Sequence, residues 1–377
     1  MHGLVVWAGM SARPLQSTKP QTETFLQWLL ATSFGSTSHR VGTDMSNANR
    51  VSIRDVARAA GVSTTTVSDA VTGQGRISQA TRDRVAQVAA DLGYMAHPNA
   101  RWLRSGRTGA VGLYLPERTV GWEYYMRLAL AAADEAFAHD MALTLLPTWP
   151  QGHAAPPLHV DGVIVSDPVL GSPMLARLGS LGVPVVTCER DVTPGAEHAG
   201  RVEGDHQVGI RTLLDHLSER GARRIAVLCP PEDTSFGLDV RVGHARWCAE
   251  RGLPALVYDV PFDAPPEAVV RATETALAVP APPDALIAVP EGGVGPAMEA
   301  IRRAGLEFPP DILLASYVDD LVLASLPVPV TAVDLQPMLM GQQAARLLAD
   351  IIEGRATRGQ VLQVPTDLHV RASTTGR

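Results

Sequence analysis

The stretch VSIRDVARAAGVSTTTVSDAVTGQGRISQATRDRVAQVAADLGY, residues 51–94, decides how the chain is read. Ser52 is placed to cap a helix whose third position is Asp55, an acid able to bind back on the cap and to favour the helix dipole. Val56 and Ala57 face inward, and Gly61 supplies the positive φ that ends the helix. Ser63 caps a second short helix over 64–71, and Ser78 caps a third that runs to Leu92 and closes at Gly93. Ala57, Gly61 and Val67 stand four and six residues apart, the steric code of a helix-turn-helix. The small alanine lets the second helix approach, glycine makes the turn, and valine fills the space between the helices.

Charge supports that reading. Residues 50–108 hold nine arginines against four aspartates, on a chain whose total is −7. A basic module on an acidic body suits a headpiece that meets a polyanion while the body stays clear of it. A solvated basic face is the alternative that charge alone leaves open.

Working outward, residues 1–49 are rich in Ser, Thr, Gln and Gly without a sustained period, and a disordered extension is expected there. Met45 stands just ahead of the ordered pattern and is an alternative start. After Gly109 apolar strands alternate with amphipathic helices. Strands read at 110–115, 142–146, 162–166, 183–188, 224–228, 255–260, 285–289 and 312–316. Helices read at 124–139, 206–220, 240–251, 267–278, 294–304 and 338–353. This rhythm predicts an α/β core of two Rossmann-like subdomains with parallel sheets covered on both faces and a ligand cleft at the carboxyl ends of the strands. The expected divisions are a headpiece over 50–96, a hinge helix and linker over 97–108, and a core over 109–377. Within the core, one subdomain takes about 109–200 and 335–356, the other about 201–334 and 357–377.

At 377 residues and 46% apolar composition the chain can build a sizeable core. No apolar run approaches the roughly 18 residues needed to cross a bilayer, and no signal-peptide pattern is visible, so a cytoplasmic protein is expected. Cys188, Cys229 and Cys248 are widely spaced without a CxxC, which predicts buried thiols rather than disulfides or zinc. GxSxG, P-loop, HExxH and in-register GxGxxG motifs are absent, so no catalytic residue, metal or cofactor is expected. A sugar-binding transport receptor and a catalytic α/β domain fused to a DNA-binding module are the rivals. The missing leader and the arginine-rich headpiece speak against the first, the missing motifs against the second.

The run 51–94, continued through NARWLRSGRTGAVGLYLP (99–116) and more loosely to HVRAS (369–373), closely resembles the lactose-repressor (LacI) family. The resemblance implies a small all-α headpiece on a periplasmic-binding-protein-like type I core. It implies a transcriptional regulator, most commonly a repressor, that binds a palindromic operator in double-stranded DNA as a homodimer and senses a small molecule, often a sugar. The second helix would then lie in the major groove with Thr64, Thr65 and Asp69 toward base edges. Asp69 can only accept, which favours a cytosine amino group; a solvated helix-surface acid is the alternative. Ser52, Ser63, Thr66, Ser68 and Arg76 would position the backbone. Leu103 matches the family's hinge leucine, an apolar wedge that replaces base stacking in the minor groove, flanked by Asn99, Arg101, Arg104 and Arg107 along the phosphates.

For the effector cleft the resemblance points to Trp122, Glu189 and Asp319, with Arg241 and Glu291 where the family's pattern is shifted. The family's cleft arginine should stand at Val240, and the usual Asn-Asp is replaced by Pro290-Glu291. Glu189 could instead pair with Arg190 or Arg201, Asp319 could cap a helix, and Trp122 could be core. Four prolines within 147–157 imply that one surface helix is lost or reduced.

Overall fold

The computed structural model describes residues 51–72, 75–94, 107–116, 123–147 and 158–375. The expectations for the extension 1–49, for Asn99, Arg101, Leu103 and Arg104 in the hinge, for Trp122, and for most of the proline-rich stretch lie outside them.

Three helices form the headpiece: α1 (Ile53–Ala60), α2 (Thr64–Thr72) and α3 (Gln79–Asp91). At the start of α1 the Asp55 carboxylate accepts the Ser52 backbone N–H at 2.9 Å and its hydroxyl at 2.6 Å. Gly61 ends α1 at φ 66°, and the Val62 N–H then reaches back to the Ala57 carbonyl, closing the turn. Ser63 Oγ accepts the Thr66 N–H, and Ser78 Oγ the Thr81 N–H. Val56, Ala57, Ala60, Val67, Val85 and Ala89 make one small buried core, which contains both Ala57 and Val67 of the spacing code.

The core holds two six-stranded sheets. The first lobe has the order β11-β5-β4-β3-β1-β2 and is parallel throughout. Its strands are β1 (Ala110–Tyr114), β2 (Ala142–Leu145), β3 (Gly162–Ser166), β4 (Val185–Cys188), β5 (Gly200–Gly204) and β11 (Gln360–Val364). In the second lobe the order is β12-β10-β9-β8-β6-β7, with only β12 antiparallel. There the strands are β6 (Ile225–Cys229), β7 (Leu256–Asp259), β8 (Ala285–Ala288), β9 (Leu313–Ser316), β10 (Thr331–Asp334) and β12 (Asp367–His369). β3, β4, β6, β8 and β9 are buried along their whole length, as strands covered on both faces must be.

Helices α4 (Glu123–Ala138) and α11 (Pro337–Ile352) cover one face of the first sheet, and the short α5 (Pro173–Gly179) lies on the other. In the second lobe α6 (His206–Glu219) and α7 (Ser235–Glu250) cover one face, α8 (Pro266–Leu277) and α9 (Val294–Arg303) the other, and α10 (Leu321–Ser325) follows β9. A 3₁₀ turn, Ala372–Thr374, closes the fold; its Ser373 hydroxyl donates to the Leu314 carbonyl and accepts the Thr331 N–H.

One sequence expectation is corrected here. The lobe boundaries expected at 200/201 and 356/357 are too early, because β5 and β11 pair with each other inside the first sheet, Gln360 opposite Gly200 through Val364 opposite Gly204. Their sequences, GRVEG and QVLQV, lie toward the sheet's edge and lack the apolar run that marked the central strands. The chain therefore crosses between lobes three times, at 204–206, 334–337 and 364–367. β10, β12, α5 and α10 also went unread, each being five residues or fewer except α5, which has seven. Among the described residues no helix is long and apolar enough to cross a membrane. All three cysteines are buried and free.

Candidate functional site

On the headpiece, Thr64 and Thr65 stand exposed on the first turn of α2. Thr66 is half-buried, its hydroxyl 2.9 Å from Ser63 Oγ, so these two side chains fix the helix start. Ser52 serves Asp55 in the same way, and Ser68 is half-buried. The Asp69 carboxylate folds over Gly75: a Cβ there would lie 2.6 Å from Asp69 Oδ2, and Gly75 adopts φ +79°. Arg76 is exposed beside it. Arg107, expected along the phosphates, donates instead to the Ile352 carbonyl at the end of α11.

In the core, the carboxyl ends of both sheets converge on a narrow cavity of about 30 Å³. Asp167 follows β3 and Glu189 follows β4, each forced into positive φ, 45° and 77°. Such backbone is costly for a residue with a side chain and concentrates at binding sites. Here the strand ladder holds it, since the Asp167 N–H donates to Cys188 O and the Glu189 N–H to Val202 O. Glu291 follows β8 and reaches across to the other lobe, where its carboxylate accepts the Glu123 and Tyr124 N–H groups at the N-terminus of α4 (2.6 and 3.3 Å). Glu123 returns the contact by accepting the Leu321 N–H at the start of α10. Arg190 donates to both oxygens of Asp239, also across the lobes.

Burial shapes the charge of this cavity. It pushes the Asp167 carboxyl up to about 6, aided by the Glu189 charge and opposed by hydrogen bonds from Tyr125 and Ser166. Burial likewise lifts Glu291 to about 7, against the two helix N–H groups it accepts. His206, at the start of α6, is only 3% exposed. Burial disfavours its cation, but the Glu189 carboxylate, 3.2 Å from Nε2, reverses the balance and raises the imidazole above its ordinary value. Tyr124, Tyr125, Phe236 and Phe262 supply aromatic walls.

Of the effector residues read from the sequence, Glu189 and Glu291 line this cavity; Arg241 and Asp319 do not. Arg241 donates to the carbonyls of Cys229 and Pro230 and to Asp259, tying the ends of β6 and β7. Asp319 is held by Arg371 and His369 of the HVRAS stretch. Burial raises the Asp319 carboxyl, yet those partners outweigh it and keep it below its ordinary value. Both are corrected to structural ties, because neither side chain has an edge on the cavity. Asp167, His206 and the aromatic rings escaped the sequence reading. The signal for Asp167 was present in GVIVSDP, an acid at the end of a buried strand, as at Glu189. Nothing in the sequence brought His206 or the aromatic rings to the same point.

A helix-turn-helix headpiece, followed by a two-lobed core with a cavity at its strand ends, defines a DNA-binding regulator with a small-molecule-binding type of core. Comparison with known proteins agrees. Residues 52–99 match the profile described as bacterial regulatory proteins, lacI family, and 214–374 match the periplasmic binding protein-like domain. The HTH-type transcriptional regulator CelR of Thermobifida fusca is 29% identical over 347 residues, covering 87% of this chain and all of CelR. A solved complex of transcriptional regulator CelR with cellobiose aligns at 27% identity and TM-score 0.63, over 86% of this chain and 100% of that one. The lac repressor dimer bound to operator and an anti-inducer shares the fold at TM-score 0.71 and 22% identity, over 87% and 100%. The chain belongs to the LacI family of bacterial transcriptional regulators.

Proposed function

We propose that the chain binds a palindromic operator as a homodimer, and that a small molecule in the cleft between the lobes changes its hold on DNA, in the usual case as a repressor. The observation that carries this reading is the cavity itself: acids from the strand ends of both lobes meet there, and Glu291 of one lobe caps a helix of the other. A ligand that replaces or tightens such cross-lobe bonds favours one lobe arrangement over another, which is the requirement for coupling.

In this reading Thr64, Thr65 and Asp69 face base edges, while Ser52, Ser63, Thr66, Ser68 and Arg76 fix the register on phosphates. Asn99, Arg101, Leu103 and Arg104 form the minor-groove hinge, and Glu189 and Glu291 hold the effector together with Asp167 and His206. Met126, Leu130 and Phe137 lie exposed along one side of α4, beside exposed Leu145 on β2, and supply the apolar face for the second copy. We place the protein in the cytoplasm with its DNA and read the core as a sensor without turnover, as its relatives' names describe regulators.

Selection from a random DNA library with the full chain, followed by affinity on the winner at several salt concentrations, tests this. A palindromic winner whose affinity falls steeply with salt is expected. Enrichment of a lone half-site would remove the dimer from the reading, and no enrichment in the presence or absence of candidate ligands would remove operator binding.

A further inference from the structure

Granting that the cleft binds an effector, its charges and rings specify which class of molecule fits. Three of the described lining residues are acids, Asp167, Glu189 and Glu291, one is a histidine, and none is an arginine. Nearby arginines are committed elsewhere: Arg190 to Asp239, Arg241 to strand-end carbonyls and Asp259, Arg371 to Asp319. Among the described lining residues an anionic ligand would meet three carboxyl groups and a single imidazole already paired with one of them.

Three carboxylates share a space largely removed from water, and one imidazole cannot balance them all. Buried carboxylates without compensation hold their protons to higher pH, which burial does at Glu291 up to about 7 and at Asp167 up to about 6. The imidazole leaves Glu189 acceptor capacity to spare, because His206 Nε2 stands 3.2 Å from Glu189 Oε2 but off the line of a good hydrogen bond. The rings of Tyr124, Phe236 and Phe262 line the same cavity. Aromatic faces attract cations, and carboxylates with aromatic walls together form the usual cage for an organic ammonium.

We propose that the effector is a small organic cation, an ammonium or amidinium carried on a single ring, held by Asp167, Glu189 and Glu291 against Tyr124, Phe236 and Phe262. An amino sugar belongs to this class and a neutral sugar does not. On binding, the cation takes the place of the proton on Glu291 and of the share still held by Asp167, which leave to solvent. A neutral polyol would hydrogen-bond to the protonated acids and leave those protons where they are.

The test is calorimetric titration of the full chain at about pH 6, where both acids keep a share of their protons, with matched pairs, glucosamine against glucose and benzamidine against benzamide, in two buffers of different ionisation enthalpy. At least one cation should bind about ten-fold or more tightly than its neutral twin and release protons. Asp167→Asn and Glu291→Gln, which keep side-chain volume, should each cut that preference and the proton release, with a cooperative thermal transition certifying that the variants fold. Equal or tighter binding of the neutral twins, binding without proton release, or no binding of either cation at millimolar concentration would overturn the proposal. Should glucose bind and alter operator affinity, the cation is wrong while the effector reading stands. Tight cation binding that leaves operator affinity unchanged would uphold the cleft's chemistry and remove the effector reading instead.

Discussion

At Glu291 one side chain joins two lobes. Its carboxylate caps α4 of the first lobe from a loop of the second, with Glu123 and Asp320 as charged neighbours. Burial holds its folded value at about 7, above the ordinary 4.5 of an unfolded glutamate. The sign follows: the folded state keeps a proton that the unfolded chain has given up between these values. The stabilising effect is complete below about pH 4.5 and is lost as pH rises through about 7. Asp167, at about 6, adds a similar loss at slightly lower pH. Glu291→Gln keeps an oxygen for the helix N–H groups and cannot ionise. Thermal unfolding of the core should therefore show the variant more stable than wild type by about 1–3 kcal/mol at pH 8, and close to it at pH 5. A variant weaker at pH 8 would mean that the charged carboxylate is what α4 requires.

The helix pair α4–α11 shows what governs stability at the scale of elements. Gly341 of α11 lies against the α4 backbone, and a Cβ there would run into the Leu128 carbonyl oxygen. Glu135, buried in the same interface, accepts from Arg346 and Gln342 of α11. Gly341→Ala should cost about 1–3 kcal/mol in denaturant unfolding, although alanine is the better helix former by about 1 kcal/mol. A neutral result would show that the two helices can part without loss. The strands that sequence revealed are those buried in the middle of each sheet, such as GVIVS and IAVLC, where apolar runs are obligatory. Those it hid, GRVEG and DLH, sit toward edges where half the side chains meet water. The site divides along the same line. Acids directly after strong strands could be found, as Glu189 and Glu291 were. Arg241 lies within α7 and Asp319 follows β9, but what holds them, Asp259 and Arg371, stands 18 and 52 residues further along the chain.

For the whole molecule, the apolar side of α4 sets a limit on how the chain can exist alone. Phe137 is 82% exposed and Leu130 60%, more apolar surface than a lone chain would ordinarily leave wet. Leu130→Glu combined with Phe137→Glu should give the mass of one chain by sedimentation at micromolar concentration. It should also weaken binding to a palindromic site about 100-fold, because two half-sites no longer act on one particle. A variant that still sediments as two chains would place the contact on another face.

The path of the chain through its two sheets also sets an order of events on the ribosome. The headpiece has all three helices once residue 91 has emerged, and the second lobe's strands β6 to β10 follow without interruption. The first lobe, begun earliest in the core, lacks its covering helix α11 and its edge strand β11 until residue 364 is made. Half-built, it leaves the flank of β5 and the side of α4 that packs on α11 without partners throughout the synthesis of its neighbour. A nascent chain of this protein thus carries a finished DNA-reading end well before it has a finished sensor.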